Sequence, residues 1–436
     1  MGLSSALYSG VSGMAATSNA MNVVGNNIAN SNTVGYKASR TVFADLLSNQ
    51  VSSSGGMTQV GTGVGMASVD SIFSQGTFEN TESNTDLAIE GAGFFILADG
   101  TTGTSVYSRD GSFHFDEIGQ LVNTEGFNVQ GYYLDENNDP TGDLTNIQVD
   151  TDSYSPANAT SGVTLTTNLD AQSVALPGGA AFDIDNPDDT SNYAASLQVY
   201  DSQGGTHLMT NYFRKTAANA WEYHTVVSGA DVGDPADFVE VASGTLSFDV
   251  NGRLVQLDGN DVYMADGVTP VDPEPVATTA GMTWVNGSDP TLPIEFAFNM
   301  TQYSSNSVVV SQVQDGFGTG NLVQLSIDEE GNIIGNYSSG EPRQLARIAL
   351  AKFTNPGGLW QEGGNIFSAT NASGVPIVGT VGSGVGSLYT NSLEQSNVDL
   401  AKEFVSMITI QRAYQANSRI ITTTDEMMNE MINLKR

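Results

Sequence analysis

The chain has 436 residues, of which 48 are acidic and 14 basic, so its formal net charge is −34. A charge of this size disfavours binding to the phosphates of nucleic acid or to anionic membranes, because like charges repel. The absence of cysteine excludes disulfides, thiol nucleophiles and thiolate metal sites. Hydrophobic residues make up 39% of the chain, which is enough for folded cores in about two to four domains.

The first 36 residues contain no Asp, Glu, Lys or Arg. Apolar residues repeat there at intervals of seven, which predicts a helix with one apolar stripe. The stripe consists of Leu7, Met14, Met21 and Ile28, with Leu3 and Val11 beside them. A secretory signal peptide needs a basic start and an unbroken apolar run, and this segment has neither. No window of the sequence approaches eighteen consecutive apolar residues, so we expect no membrane insertion.

The last forty residues, 397–436, predict a second and longer helix. No Gly or Pro occurs after Gly386, and Ser396 followed by Asp399 resembles a capping box at the start of the helix. The seven-residue repeat consists of Leu393, Leu400, Met407, Tyr414, Ile421 and Met428, widened by Phe404, Ile408 and Ile432. Such a helix is roughly 55 Å long and cannot bury its stripe alone. We therefore predict that the two terminal helices pair as an antiparallel or steeply crossing coiled coil, with these residues as its seam.

Between the helices the apolar period changes to two, which is typical of β-strands. Three stretches predict hairpins whose turns combine a capping Asp with a left-handed Gly: Asp116 with Gly119, Asp249 with Gly252, and Asp328 with Gly331. A glycine-rich link at 51–65 contains GTGVG, which recurs as GSGVG at 382–386. We expect these two links to run side by side. Neither copy is followed by the Lys-Ser or Lys-Thr of a phosphate-binding loop.

These patterns predict a mainly β protein with terminal α-helices, organised as nested domains. The expected division is a terminal helical domain (1–30 and 397–436), a linking domain (31–70 and 360–396), an inner β domain (71–147 and 301–359) and an inserted outer β domain (148–300). Residues 151–300 hold 20 acidic residues against Arg214, Lys215 and Arg253, as expected for a solvated outer surface.

Sequence features for catalysis are sparse. The chain has only three histidines, His114, His207 and His224, and none has the spacing of a zinc site. The acidic loop 135–143 resembles a calcium loop, but Pro140 stands where the required Gly belongs. Paired carboxylates for glycoside chemistry are recognised by geometry and stay open at this stage. We expect neither an enzyme nor a cofactor.

The two ends of the chain resemble the paired terminal signatures of the rod and hook family of bacterial flagellar axial proteins. The first signature, NNIANSNTVGYK, is carried by Asn26, Asn27, Ile28, Ala29, Asn30, Ser31, Asn32, Thr33, Gly35, Tyr36 and Lys37. The second is carried by Asn397, Asp399, Leu400, Gln411, Arg412, Tyr414 and Gln415. The length and the large β insertion are similar to those of the hook members of the family. Distal rod proteins share both ends but are shorter.

This resemblance implies a homopolymer: a flexible helical tube outside the cell that joins rod to filament and transmits torque as a universal joint. It also implies export through the flagellar type III apparatus without a cleaved signal. The implied partners are copies of the chain itself, the hook cap, the distal rod, the hook–filament junction and the type III export proteins. The glycine-rich links would let the outer domains slide. The alternatives are a distal rod or other axial protein, or a secreted β-rich adhesin or binding module.

Overall fold

The computed structural model describes residues 2–53, 56–100, 103–135, 138–150, 154–176, 181–264, 269–289 and 292–434. Helices occupy both ends of this part of the chain, and strands occupy most of the remainder, which confirms the predicted fold class. The helices are α1 (Gly2–Ala29), α2 (Pro187–Thr190), α3 (Gly229–Val232) and α4 (Leu400–Leu434), with a short 3-10 turn at Pro356–Gly358.

The strands fall into three runs along the chain. The first run is β1 (Ser39–Asp45), β2 (Asn49–Ser53), β3 (Gly56–Val60), β4 (Val64–Ser71), β5 (Phe78–Asn80), β6 (Leu87–Glu90), β7 (Gly93–Ala98), β8 (Ser105–Ser108), β9 (Phe113–Phe115), β10 (Leu121–Asn123), β11 (Asn128–Leu134) and β12 (Pro140–Asn146). The second is β13 (Tyr154–Ser155), β14 (Gly162–Asp170), β15 (Tyr193–Tyr200), β16 (Thr206–Ala217), β17 (Ala220–Ser228), β18 (Phe238–Phe248), β19 (Leu254–Leu257), β20 (Asn260–Asp261), β21 (Ala277–Thr278), β22 (Glu295–Tyr303), β23 (Val308–Gln314) and β24 (Gly320–Ile327). The third is β25 (Asn332–Tyr337), β26 (Pro342–Lys352), β27 (Trp360–Gly363), β28 (Ile366–Ser368), β29 (Ile377–Thr380), β30 (Ser387–Thr390) and β31 (Ser392–Glu394).

The chain forms two compact units. Unit 1 comprises Met1–Thr151, Leu325–Gly335 and Arg343–Arg436, and unit 2 comprises Asp152–Gln324 and Asn336–Pro342. Unit 1 therefore contains both terminal helices.

Unit 1 is built on a sheet in which β25, β26, β11, β7, β8, β28 and β27 are neighbours in that order. Its core is aromatic: Phe94 packs edge-on against Phe353, with the ring centroids 5.7 Å apart, and against Phe73 at 5.5 Å. Edge-to-face aromatic pairs of this kind add roughly 0.5–1.5 kcal/mol beyond the area they bury. Two-stranded pairs lie outside this sheet: β1 with β4, β2 with β3, β30 with β6, and β31 with β5.

Unit 2 is built on two sheets that share one hydrophobic core. A six-stranded antiparallel sheet runs β15 to β20 in chain order, and a four-stranded sheet has the order β21, β22, β14, β23. Strands β14 and β22 are parallel, whereas β14 and β23 are antiparallel. The fully buried Trp221 donates its indole N–H to the side-chain oxygen of Gln302 at 3.1 Å, so this large ring is buried without losing its hydrogen bond.

The three predicted hairpin turns are confirmed. Each Asp accepts backbone N–H bonds across its turn, for example from Gln120 to Asp116 Oδ1 at 2.7 Å and from Arg253 to Asp249 Oδ1 at 2.8 Å. The glycines at 119, 252 and 331 have φ of 77°, 80° and 80°, which a residue with a side chain rarely adopts. The same turn occurs at two places that sequence reasoning missed, Asp201 with Gly204 and Asn123 with Gly126.

The prediction for the two glycine-rich links is wrong. The hairpin of β2 and β3 occupies much of the link at 51–65. The end of the link lies against α1, where the N–H of Val64 donates to Ser12 Oγ at 3.3 Å. The second link, 382–386, forms a turn closed by the N–H of Gly382 on the carbonyl of Gly386 at 2.9 Å. Gly386 lies against β6 and not against the first link. Shared composition therefore did not place the two segments together.

Candidate assembly interface

The terminal helices pack against each other in antiparallel fashion, which is one of the two arrangements that the sequence predicts. A Cβ atom built on Gly13 would lie 2.6 Å from Asn417 Nδ2, and one on Gly10 would lie 3.0 Å from Cγ1 of Ile421. The buried line of α1 consists mostly of small residues, namely Gly10, Gly13, Ala16, Ala20, Val24 and Asn27. Glycine and alanine let the two backbones approach closely, so small residues and not the large apolar ones form the closest contact.

The predicted seam residues of α1 lie beside this line and not on it. Leu7, Met14, Met21 and Ile28 are half-buried, and Val11 is exposed. The side chain of Leu3 lies outside the described residues. In a single chain the residues of the seven-residue repeat therefore lie beside the α1 contact, because the buried line of α1 occupies its centre.

On α4 the predicted seam is mostly open. Met407 and Ile421 are half-buried, whereas the other predicted residues of this helix are exposed: Leu400, Phe404, Ile408, Tyr414, Met428 and Ile432. Leu393 does not belong to the helix, which corrects the prediction. It lies in β31, where it pairs with Glu79 of β5.

The start of α4 explains why Leu393 is excluded. Asp399 caps the helix, because its Oδ1 accepts the N–H groups of Ala401 at 2.9 Å and Lys402 at 3.2 Å. These are backbone donors of the first turn that have no partner within the helix. Ser396, the predicted cap, instead accepts the N–H of Val398 at 3.3 Å outside the helix.

A set of large apolar side chains along α4 faces solvent in the single chain. We call it the α4 strip, and each member is at least 42% exposed: Leu400, Phe404, Val405, Ile408, Tyr414, Ile420, Met427, Met428, Met431 and Ile432. Soluble monomers rarely leave so many large apolar residues together on one element, so this strip indicates an interaction surface.

The first signature forms the exit from α1. The side-chain oxygen of Asn27, a buried residue, accepts the Tyr36 hydroxyl at 3.1 Å and the N–H of Ser39 at 2.9 Å, while its amide donates to the carbonyl of Ser39 at 2.7 Å. Gly35 has φ of 69°, and a Cβ there would lie 2.7 Å from the backbone nitrogen of Asp110. A glycine is therefore required here, because the turn needs a positive φ and because the backbone of Asp110 lies too close for a side chain.

The second signature ties the entry of α4 to the same place. The side chain of Asn397 accepts the N–H of Ala38 at 2.8 Å and donates to the carbonyls of Ile72 at 2.8 Å and Ser74 at 3.1 Å. One amide therefore joins the α1 exit, the end of β4 and the α4 entry.

A buried ionic cluster of Lys37, Arg109 and Glu394 completes this region. We call these three residues and Asn397 the junction. Lys37 Nζ lies 2.6 Å from Glu394 Oε1, and Arg109 Nη1 lies 3.5 Å from Glu394 Oε2. Each cation also donates to a backbone carbonyl, Lys37 to that of Ser74 at 2.9 Å and Arg109 to that of Gly91 at 2.7 Å. Two cations share one carboxylate in a site that is almost closed to water.

Burial lowers the pKa of the Lys37 ammonium, and the opposing attraction of Glu394 does not fully offset it. Burial likewise lowers the pKa of Arg109, again against the attraction of Glu394. Glu394 is therefore the group on which both charges depend. Removing one partner of such a cluster costs far more than the intact pair contributes.

The signature residues have different positions. Asn26 donates to the Tyr36 hydroxyl at 3.1 Å, and Thr33 to the side chain of Asn30 at 3.1 Å. Ser31 is half-buried, whereas Ala29 and Asn32 are exposed. The exposed part of α4 carries Gln411, Arg412, Tyr414 and Gln415, away from the junction. Sequence reasoning missed Arg109 and Glu394, whose role depends on contacts between distant segments.

No group of three or more His, Cys, Asp or Glu side chains in the described part of the chain could hold a metal ion. No described helix is long and apolar enough to cross a membrane.

Four protein-family models match the chain in succession. They are the flagella basal body rod protein at 7–37, the flagellar hook protein FlgE/F/G D1 domain at 88–168, the flagellar basal body protein FlaE D2 domain at 168–317, and the flagellar basal body rod FlgEFG protein C-terminal region at 389–434. The first of these models covers the whole of the first signature, and the last covers the whole of the second.

Full-length relatives agree with the family models. The flagellar hook protein FlgE of Escherichia coli is 38% identical over 431 residues, covering 98% of both chains. That of Borreliella burgdorferi is 33% identical over 456 residues, covering 98% of this chain and 99% of the relative. A crystal structure of Helicobacter pylori flagellar hook protein FlgE2 covers 73% of the chain at 14% identity and a TM-score of 0.48, too low to support an argument. Because the chain is 33–38% identical to the Escherichia coli and Borreliella burgdorferi hook proteins over nearly its full length, it belongs to the flagellar hook protein family.

Proposed function

We propose that the chain polymerises through its terminal helices into the tube of the hook, which joins rod to filament and transmits torque as a universal joint. The observation that carries this proposal is the α4 strip, an apolar surface that a single chain leaves in water. A contact repeated head to tail with a rotation that does not close generates an open helical tube.

The size of the strip suits a polymer contact. Fully burying one large apolar side chain stabilises by about 1.5–3 kcal/mol, so half-burying ten contributes on the order of 10 kcal/mol. Association costs about 4–15 kcal/mol in lost freedom of motion. The strip is therefore of the right order to drive assembly.

We infer the same four domains that the sequence predicts. The terminal domain (1–30 and 397–436) lines the tube. Beyond the sequence prediction, which paired them with α4, we propose that Leu7, Val11, Met14, Met21 and Ile28 also pack against neighbouring copies. Residues 148–300 lie outermost, where acidic charge keeps the surface solvated. We propose that the connections between the domains are flexible.

Partners follow from the position of the hook. We propose that the chain contacts further copies of itself, the distal rod at one end, and the hook cap and hook–filament junction proteins at the other. We also propose export by the flagellar type III apparatus, on the basis of membership of the hook protein family. The role is structural, and we assign no catalytic activity.

The test compares the intact chain with one lacking 1–35 and 397–436. We expect the intact chain to sediment as polymer and to form tubes in electron micrographs, and the truncated chain to stay monomeric. Trp221 and Trp284 are buried in unit 2, so their fluorescence checks that unit 2 of the truncated chain remains folded. Equal polymerisation of both chains would contradict assembly through the helices.

A further inference from the structure

The last turns of α4 carry a cluster of exposed methionines. Met427, Met428 and Met431 are 58%, 42% and 53% exposed, and they follow one another closely along the helix. Among the residues whose side chains the structure describes, the only other exposed methionines are Met66 and Met264. Thioethers that are open to solvent are therefore concentrated at one end of one helix. We call Met427, Met428 and Met431 the methionine cluster.

Helical geometry places the three thioethers on one side of α4. Met431 lies four positions after Met427 and three after Met428, and these are the two spacings at which side chains are neighbours on a helix. The exposed side chains of Ile420 and Ile432 extend the same apolar surface. One end of the α4 strip therefore consists largely of sulfur-containing side chains.

Exposure decides which thioethers of the chain meet an oxidant in solution. Hydrogen peroxide transfers one oxygen atom to a thioether: the sulfur supplies the electron pair of the new S–O bond, the O–O bond breaks, and water leaves. The chain has no cysteine, so no thiol competes for the peroxide. Met209, Met282 and Met300 are buried in the core of unit 2 and are shielded from it. The methionine cluster is therefore the densest group of oxidisable side chains that the described surface presents.

We propose that the methionine cluster is an oxidation site of the unassembled chain, and that conversion of its thioethers to sulfoxides by a peroxide reversibly blocks assembly. A thioether is apolar, whereas a sulfoxide is polar. Assembly through the α4 strip would bury the new S=O groups, and burying a polar group without a hydrogen-bond partner costs free energy. Sulfoxides are reduced enzymatically to thioethers, which makes the block reversible. This inference rests on the proposed function and adds a chemical modification that acts before assembly.

Partial oxidation of the wild-type chain tests the proposal without any substitution. Monomer treated briefly with hydrogen peroxide is polymerised and sedimented. Peptide mass spectrometry then measures the fraction of sulfoxide at each methionine in the pellet and in the supernatant. Met264 is the internal control, because it is 49% exposed but lies in unit 2. An untreated sample shows whether the chain polymerises.

We expect sulfoxide in the methionine cluster to be enriched at least about tenfold in the supernatant over the pellet, because oxidised chains are left out of the polymer. Sulfoxide at Met264 should differ less than about twofold between the two fractions, as for a surface change away from an interface. Equal distribution of the cluster sulfoxides would overturn this inference and leave polymerisation itself intact. Equal enrichment at Met264 would also overturn it, because general damage would then cause the block. If the untreated chain forms no polymer, the proposed function fails first and this inference falls with it.

Reversal of the oxidation gives an independent measurement. Oxidised monomer treated with methionine sulfoxide reductases for both sulfoxide epimers should again polymerise at the concentration that untreated chain requires, to within about twofold. Failure to recover once mass spectrometry shows the cluster sulfoxides reduced would overturn the proposal.

A variant without the three thioethers separates the methionine cluster from the other methionines. Leucine is apolar, close to methionine in size and inert to peroxide, so the variant combines Met427→Leu, Met428→Leu and Met431→Leu. Each chain is compared with its own untreated sample. Peroxide should raise the concentration needed for polymerisation at least about tenfold for wild type and less than about twofold for the variant. An equal rise in both chains would overturn the proposal.

Discussion

Lys37 and Glu394 are 357 positions apart in the chain, yet their side chains form a buried ion pair with 2.6 Å between Nζ and Oε1. Lys37 follows the exit of α1, and Glu394 precedes the entry of α4. The pair therefore joins the two ends of the chain where both enter the body of unit 1. Arg109, from the loop after β8, binds the other oxygen of the same carboxylate.

Glu394→Gln should destabilise unit 1 by about 3–5 kcal/mol, because it leaves two buried cations without a counter-charge. Lys37→Met should cost less, since Arg109 and Glu394 still pair and the thioether fills the space of the lysine chain. Denaturant unfolding followed by circular dichroism measures both. The exposed Glu79→Gln on neighbouring β5 is the control, and its effect should stay within about 0.5 kcal/mol. A larger loss for Lys37→Met than for Glu394→Gln would refute the central role of the carboxylate.

Two glycines of α1 should respond to leucine with opposite signs. At Gly25 a Cβ meets nothing within 4 Å, so Gly25→Leu should stabilise the helix by roughly 0.5–1 kcal/mol through helix propensity. At Gly13 the new side chain would enter the space of Asn417 and force α1 away from α4. Thermal unfolding monitored by helical circular dichroism compares them. A shift of the same sign and size for both would mean that the close approach at Gly13 is unimportant.

Ile408→Asp tests the α4 strip. The side chain is exposed in a single chain, so the monomer should unfold within about 0.5 kcal/mol of wild type. In the polymer an unpaired carboxylate would be buried at a cost of several kcal/mol, which raises the concentration required for assembly about a hundredfold or more. Ile408→Leu keeps the apolar surface and should assemble normally. Sedimentation across a concentration series decides, and normal assembly of Ile408→Asp would remove position 408 from the interface.

Tyr223 in unit 2 should make the stability of the folded protein depend on pH above pH 10. Burial raises the pKa of its phenol, and the hydrogen bond to Asp258 Oδ2 at 2.8 Å and the charge of that carboxylate raise it further. Because the pKa in the folded state lies above the unfolded value of about 10, the stability from the neutral phenol is complete below pH 10 and is lost as pH rises further.

Tyr223→Phe should therefore make the loss of stability above pH 10 less steep, by about 1.4 kcal/mol per pH unit, the value for one proton. The free energy of unfolding measured between pH 8 and 11 tests this. Tyr154→Phe, which removes an exposed phenol from the same unit, is the control. Parallel curves for wild type and Tyr223→Phe would show that ionisation of this phenol does not limit alkaline stability.

Features that depend on neighbouring residues could be predicted from the amino-acid sequence. The terminal helices follow from apolar periodicity and from the absence of Gly and Pro after position 386. The turns at Asp116, Asp249 and Asp328 follow from an Asp that caps backbone N–H groups two to four residues later and a Gly that takes positive φ. These interactions close within five residues, so a short stretch of sequence contains all their partners.

The tertiary structure alone decided the contacts between distant segments. A heptad pattern marks large apolar residues, but it does not show that Gly10 and Gly13 let α1 approach α4 more closely than Leu7 or Met14 would. Leu393 fits the repeat and yet lies in β31, because pairing with β5 holds it there and Asp399 starts the helix later. The sequence around Lys37 does not indicate its partner, because only the fold brings Glu394 next to it. Packing and charge pairing act through space, and sequence spacing carries no information about which distant residues meet.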